Sequence, residues 1–222
     1  MKKTLAYTIV VLLLSAIASF AQTRTYSDYF QAGTNDDNVG NVSAALTNYN
    51  LAISLKPNYA EAYFARGNIR FHQGDYENAF VDYGQAIQFK PDFVMAYCNR
   101  GSLEGIKHDL YGALADFNKA IELDPKSYAA YDNRGNIKDK LGDRKGALAD
   151  YNKAIKLNPQ YAMAYFNRGV AKYKNAELKD AVSDYDKAIS IWQNTVPQTP
   201  AQKQRLENCI KMAEASKQLA SK

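Results

Sequence analysis

Charged side chains recur in this sequence in a fixed pattern that could form ion pairs. The arginines are Arg66, Arg100, Arg134 and Arg168, and the aspartates are Asp82, Asp116, Asp150 and Asp184. Guanidinium and carboxylate groups bind one another through paired hydrogen bonds, so the pattern predicts an ion pair within a unit or with its neighbour. Such a pair, partly buried, is expected to fix the register of two helices. An arginine row that binds an anionic ligand is the alternative, and the accompanying aspartates disfavour it.

The other reactive side chains are too few and too scattered for catalysis. His72 and His108 have no partner at a useful spacing, whereas nucleophile–base pairs and metal sites need several converging groups. Glycine-rich phosphate loops follow strands, and the Arg-Gly sequences here fall within predicted helices. We therefore expect two exposed histidines, no catalytic residue, no metal site and no cofactor.

A unit of 34 residues positions the charged side chains. It occurs as Ala60–Phe93, Val94–Ser127, Tyr128–Tyr161 and Ala162–Thr195, after a degenerate copy at Tyr26–Tyr59. The degenerate copy has Ala32 and Asn48 where the others have the arginine and the aspartate, so both charges are missing together. A fixed period of this length is typical of stacked repeat proteins.

Each unit is predicted to form two helices joined by a tight turn. At Gly74-Asp75, the glycine can end the first helix in a left-handed conformation and the aspartate can cap the second. Pro91 then ends the second helix, because proline disfavours helical geometry in the residue before it. Small residues such as Gly67 are expected where the paired helices cross, beside a large ring such as Tyr83. Weaker turn signals occupy the same place at His108-Asp109 and Ala176-Glu177.

An aromatic residue followed by Gly, Ala, aromatic, Ala and Pro over 34 residues resembles the tetratricopeptide repeat. The resemblance covers Tyr26–Thr195 and implies an all-α, right-handed superhelical solenoid of helix–turn–helix repeats. It also implies a C-terminal capping helix within residues 196–222, where Thr199 and Pro200 form a helix-start signal. Stacking of the repeats would hold Cys98 and Cys209 too far apart for an intramolecular disulfide.

The same resemblance implies that the first helices line a concave face that binds extended or helical peptides. The residues expected on that face are Phe30, Glu61, Phe64, Asn68, Phe71, Met95, Cys98, Ser102, Asp132, Asn136, Asp139, Phe166, Val170 and Tyr173. Exposed rings on such a face would form an apolar patch of the kind that marks interaction sites. An acidic patch at Asp132 and Asp139 favours an apolar or mildly basic peptide. A face that tolerates apolar residues without binding a ligand is the alternative.

The N-terminus, residues 1–21, has the features of a bacterial secretory signal peptide. Lys2 and Lys3 precede the apolar segment Leu5–Ile17, and Ser19-Phe20-Ala21 places small residues where a signal peptidase needs them. We expect cleavage before Gln22, a short polar lead at residues 22–25, and a periplasmic or secreted protein. An uncleaved membrane anchor is the alternative, although a spanning helix needs about 20 apolar residues.

The net charge of +5 arises at the two ends of the chain, because positive and negative residues balance between Gln22 and Pro200. The repeats therefore lack the basic stripe that a nucleic-acid-binding protein uses against phosphates. The sequence predicts a non-enzymatic scaffold that binds a peptide or protein segment on its concave face. The alternative is a structural subunit of an envelope complex that assembles through its convex face or its terminal helix.

Overall fold

The structure, a computed structural model, describes residues 24–194 and 199–221. Within these two ranges it contains eleven α-helices and no β-strand. The expected signal peptide and its cleavage site before Gln22 lie outside the described residues. No helix of the described part is both long enough and apolar enough to span a membrane. The chain divides into two compact units, Met1–Phe89 and Lys90–Lys222, which we describe separately.

The first unit contains four described helices arranged as two hairpins. They are α1 (Tyr26–Asn38), α2 (Val42–Leu55), α3 (Ala60–His72) and α4 (Tyr76–Phe89). α1 packs against α2, α3 packs against α4, and α2 packs against α3, which joins the hairpins. The degenerate copy is therefore fully helical, with a Thr25–Asp28 capping box at its start.

The second unit contains three hairpins and a final helix. They are α5 (Val94–Ile106), α6 (Leu110–Leu123), α7 (Tyr128–Lys140), α8 (Arg144–Leu157), α9 (Ala162–Lys174), α10 (Leu178–Gln193) and α11 (Pro200–Ala220). Each first helix packs against its own second helix and against the first helix of the next repeat. The prediction of all-α helix–turn–helix repeats with a 34-residue period is thus confirmed.

The turns within the hairpins use the predicted left-handed residues. Gly74 and Gly142 have φ angles of +79° and +87°, which glycine adopts without steric cost. His108 and Ala176 occupy the same turn with φ angles of 64° and 60°. A side chain in this conformation costs about 1 kcal/mol, so these two turns are held by the helices on either side.

Glycine and aromatic residues pack against each other where the two helices of a hairpin cross. A Cβ atom on Gly67 would lie 2.9 Å from Cε1 of Tyr83, and one on Gly135 would lie 2.6 Å from Cε1 of Tyr151. Both rings are buried, so neither can move away cheaply. The prediction that a small residue permits this crossing is confirmed.

The final helix α11 covers the last hairpin. Its N-terminus has the predicted cap, since the Thr199 hydroxyl accepts a hydrogen bond from the Gln202 amide and Pro200 is the first helical residue. Cys209 and Ala213 of α11 are buried against α10. Cys98 and Cys209 are both free thiols, as expected.

Candidate functional site

Every complete repeat contains an internal ion pair. Nε and Nη2 of Arg66, Arg100, Arg134 and Arg168 donate to the two carboxylate oxygens of Asp82, Asp116, Asp150 and Asp184, at 2.5–3.0 Å. The predicted pairing is confirmed, and it joins the two helices of one repeat. The hydrogen bond to Asp150 raises the pKa of Arg134 above its usual value. Because each guanidinium is bound to a buried aspartate, the geometry does not favour an arginine row for an anionic ligand.

Each guanidinium also lies over an aromatic ring of its own helix. The Cζ atoms of the four arginines lie 5.3–5.8 Å from the ring centroids of Tyr63, Tyr97, Tyr131 and Tyr165. This distance is within the range of cation–π attraction. The repeated tyrosine of the first helix therefore has a structural role in the ion-pair site.

A second row of charges, which the sequence pattern did not reveal, completes three of these sites. Arg70, Lys138 and Lys172 each bind the aspartate of their own repeat, at 2.7, 2.8 and 2.9 Å. All three stand four residues after the paired arginine, one helical turn further along the first helix. Alignment of the copies at this place would have found the row. In the repeat that starts at Val94 the same place holds Glu104.

The arginines also reach back to the preceding repeat of their own unit. Nη1 donates from Arg66 to Asn50 at 2.6 Å, from Arg134 to Asn118 at 2.9 Å, and from Arg168 to Asn152 at 2.6 Å. The next residue in this series is Asp186, and it accepts a hydrogen bond from Lys217 of α11 at 3.0 Å. The final helix therefore takes the place that a further repeat would occupy.

In the second unit the predicted face is formed by α5, α7 and α9, and two contacts join α7 to α9. The Asn167 amide donates to both oxygens of Asp132, and Lys174 binds Asp139 at 2.5 Å. Met95 is 59% exposed at the α5 end. Cys98, Ser102, Asn136, Asp139, Phe166, Val170 and Tyr173 are half-buried on the same three helices.

Asp132 lies in the interior rather than on the exposed part of this face. The residue is only 2% exposed, and it is hydrogen-bonded by Asn167 and by Tyr161. Burial raises its pKa to about 6 because water no longer stabilises the charge. Asp139 is bound by both Arg144 and Lys174. The acidic patch expected from the sequence is therefore absent from the surface of the described part of this unit, since one carboxylate is buried and the other is neutralised.

In the first unit, α3 contains the four predicted residues Glu61, Phe64, Asn68 and Phe71, all of them half-buried. The Asn68 carboxamide accepts a hydrogen bond from the Tyr83 hydroxyl at 3.0 Å. The Phe64 ring lies 6.0 Å from the Tyr83 ring. These side chains therefore support the α3–α4 hairpin as well as contributing to its surface.

The same place in the second unit shows which groups are left without support. The Tyr151 hydroxyl donates to Asn136 at 2.9 Å, whereas Val170 stands where Tyr185 would need an acceptor. The buried Tyr185 hydroxyl has no hydrogen-bond partner among the described residues. No cluster of three metal-ligating side chains occurs in the described ranges. His72 and His108 are exposed, as expected.

Comparison with known proteins agrees with this geometry. A family model described as TPR repeat matches residues 40–74, 67–103 and 135–175, and one described as tetratricopeptide repeat matches residues 96–127. Together they cover more than half of the chain. The search of curated proteins found no significant match.

Several solved structures share the fold at low sequence identity. PilW, a type IV pilus biogenesis factor, has a TM-score of 0.71 at 21% identity over 87% of this chain and 89% of its own. MamA from Desulfovibrio magneticus RS-1 has a TM-score of 0.70 at 18% identity over 79% and 99%. YrrB, described as a TPR protein with an unusual peptide-binding site, has a TM-score of 0.65 at 22% identity over 81% and 92%.

Paired helices that repeat every 34 residues define an α-helical repeat protein, a class in which each unit contacts its neighbours. Within that class, the chain belongs to the tetratricopeptide-repeat family. Proteins of this family generally act as scaffolds for protein–protein interaction rather than as catalysts.

Proposed function

We propose that this protein is a non-enzymatic scaffold that binds a segment of another protein on the face formed by its first helices. In the second unit this face runs from Met95 on α5 to Tyr173 on α9. One observation supports the proposal above the others. The side chains that hold each hairpin together are the same in every complete repeat, whereas those on the first-helix face differ between repeats.

The differences are chemical as well as steric. The place held by Phe166 in the last repeat holds Cys98 in the first repeat of this unit and the buried Asp132 in the middle one. An apolar end at Phe166, Val170 and Tyr173 therefore adjoins a polar middle at Asn136. Such a surface suits a partner segment that has apolar side chains at one end and hydrogen-bonding groups at the other. Because Asp139 is already neutralised, a strongly basic partner is not required.

Site-specific photo-crosslinking tests this face directly. A photoreactive amino acid at Met95, which is 59% exposed, should cross-link to the partner in native cells. The matched control is Tyr111, which is 76% exposed on α6 of the same hairpin and therefore lies on a second helix. Cross-links from Met95 and not from Tyr111 are the expected result. The proposal fails if the cross-links come from Tyr111 alone.

Substitution of two rings provides an independent test. Phe64→Ala together with Phe166→Ala should abolish capture of the cross-linked partner. Retention of helicity by circular dichroism is the control, because both rings also contact buried tyrosines, Tyr83 and Tyr185. Capture by the folded double variant would contradict binding on the first-helix face.

A structural subunit of an envelope complex is the second candidate, and the exposure of Tyr111 on a second helix supports it. An aromatic side chain that is mostly in water is an unusual use of apolar surface unless a partner covers it. Under this alternative, Tyr111→Ser would disrupt the assembly and the two-ring variant would not. Blue-native electrophoresis of membrane extracts distinguishes the two outcomes.

We also propose that the chain is exported and cleaved before Gln22. The support is the arrangement of Lys2 and Lys3, the apolar segment Leu5–Ile17 and the small residue Ala21. N-terminal sequencing of the protein recovered from a bacterial periplasm should begin at Gln22. A protein that retains Met1 and sediments with membranes would instead indicate an uncleaved anchor.

A further inference from the structure

The hairpin formed by α5 and α6 departs from the ion-pair pattern of the other repeats. Glu104 stands where Arg70, Lys138 and Lys172 supply a second cation to the aspartate of their repeat. Asp116 is bound by Arg100 at 2.7 Å through both of its oxygens. This hairpin therefore places two carboxyl groups beside one guanidinium, whereas the others place two cations beside one carboxylate.

Glu104 and Asp116 can make a favourable contact only if they hold a proton between them. The Oε2 atom of Glu104 is buried, and no N–H or O–H group of the described residues donates to it. The Glu104 side chain is within hydrogen-bonding reach of Asp116, which as a carboxylate can only accept. A hydrogen bond between two carboxyl groups requires a proton on one of them. Gly112 permits the close approach, since a Cβ atom there would lie 2.9 Å from Cδ of Glu104.

The charged groups around Glu104 favour its neutral form. From its own helix it faces Arg100, and from α6 it faces Asp116 and Asp109. On α7, which packs against both helices, Lys138 and Asp139 are engaged by partners in their own and the following repeat. Burial, followed by the charge of Asp116, raises the pKa of Glu104 to about 7, and the attraction of Arg100 offsets this only in part.

We propose that Glu104 and Asp116 form a carboxyl pair that shares one proton and makes the stability of the α5–α6 hairpin sensitive to pH. Because the pKa of Glu104 is raised in the folded state, its stabilising contribution is complete below about 4.5. That contribution is lost as the pH rises through about 7. Above that pH two carboxylates compete for Arg100, and the hairpin opens more often. Since α5 contains Met95 and Ser102, the opening changes the first-helix face at one end.

Hydrogen exchange of the full chain at several pH values tests the carboxyl pair. After correction for the intrinsic rate, amides of α5 and α6 should exchange roughly tenfold faster at pH 8.5 than at pH 5.5, as for one pKa unit of linkage. Amides of α7 and α8, whose ion pair contains Lys138, provide the internal reference and should change less. Equal pH dependence in the two hairpins would overturn the proposal.

Three variants isolate the proton. Glu104→Gln keeps the shape and a donor but cannot titrate, so it should remove the pH dependence. Glu104→Lys recreates the site of the neighbouring repeat, and it should also slow exchange above pH 7. Lys138→Glu should install the same pH dependence in the α7–α8 hairpin. A Glu104→Gln protein that retains the wild-type pH profile would show that another group titrates, and the Glu104→Lys result decides the matter if Lys138→Glu does not fold.

Discussion

The guanidinium of Arg134 holds the carboxylate of Asp150 through two hydrogen bonds, 2.8 Å from Nε and 2.6 Å from Nη2. The two residues come from α7 and α8, so the pair ties the two helices of a hairpin together. Lys138 and Asn118 add a bond to each partner, at 2.8 Å to Asp150 and 2.9 Å to Arg134. Four side chains therefore depend on one buried aspartate and one arginine.

Charge reversal tests the coupling of this pair. Arg134→Asp alone should lower the free energy of unfolding by about 3 kcal/mol, because it leaves Asp150 buried beside a like charge. The double variant with Asp150→Arg should recover part of this loss, and only part, because Lys138 then faces a cation. Urea unfolding of the four proteins of the cycle gives the coupling energy.

The exposed pair Lys119–Glu122, at 2.6 Å, is the control for that cycle. Lys119→Ala should change stability by less than about 1 kcal/mol, since a solvent-exposed ion pair contributes little. A reversed double variant that is no more stable than either single variant would contradict the pairing as an energetic unit.

Two glycines should respond differently to substitution because they are required for different reasons. Gly135→Ala should cost about 1–3 kcal/mol, because its Cβ would meet the buried Tyr151 ring at 2.6 Å. Gly142→Ala has open space around it and should cost about 1 kcal/mol through its φ of +87°. Asparagine, which tolerates that conformation, should be milder than alanine at 142 and worse than alanine at 135. Thermal unfolding of the four variants distinguishes the two causes.

Removal of a hydroxyl should have opposite consequences at two equivalent tyrosines. Tyr151→Phe loses the bond to Asn136 and should destabilise by about 1 kcal/mol. Tyr185→Phe removes a buried hydroxyl that has no partner among the described residues, so stability should stay equal or increase. Val170→Asn should stabilise the wild type by supplying an acceptor and should not stabilise the Tyr185→Phe protein. A loss of stability in Tyr185→Phe would reveal a partner for that hydroxyl.

The buried Asp132 predicts a pH dependence of stability that differs in sign from that of an ordinary carboxylate. Because its pKa is raised to about 6, its contribution is present at low pH and declines as the pH rises through 6. Relative to wild type, Asp132→Asn should therefore gain about 2 kcal/mol between pH 4 and pH 8. Denaturant unfolding at both pH values measures this change.

Asp28 provides the opposite case for comparison. Hydrogen bonds from Thr25 hold its pKa below the usual value, so its contribution is present near neutral pH and is lost on acidification. Asp28→Asn should thus be less stable than wild type at pH 7 and similar to it at pH 3. Parallel profiles for the two variants would contradict the burial of Asp132.

The ion pairs and the hairpin crossings could be predicted because four copies of the same unit restrict the interpretation together. Arg134 and Asp150 occur in step with their counterparts, and Gly135 always faces a ring. Asp132 occurs once, and its helical position correctly indicated the first-helix face but not its depth. Its burial depends on Asn167 from the next repeat, a contact that helical periodicity within one segment does not contain.

Glu104 was overlooked for a different reason. The paired arginine and aspartate attracted attention because they are the same in every complete repeat, whereas the neighbouring place holds Arg70, Lys138, Lys172 or Glu104. A place that conserves charge without conserving residue type is not visible as an identity. It becomes informative once the structure shows that it faces a buried carboxylate.

The bonds from the arginines to the preceding repeat give the stack a direction. Arg168 uses Asn152 of the repeat before it, and no reciprocal bond runs from Asn152 to its own guanidinium. Loss of an earlier repeat therefore removes a partner from the next one, whereas loss of a later repeat leaves the earlier guanidinium satisfied. A chain that emerges from its N-terminus first can complete each ion-pair site as soon as the second helix of that repeat has formed. Assembly can then proceed along the chain until Lys217 of α11 occupies Asp186.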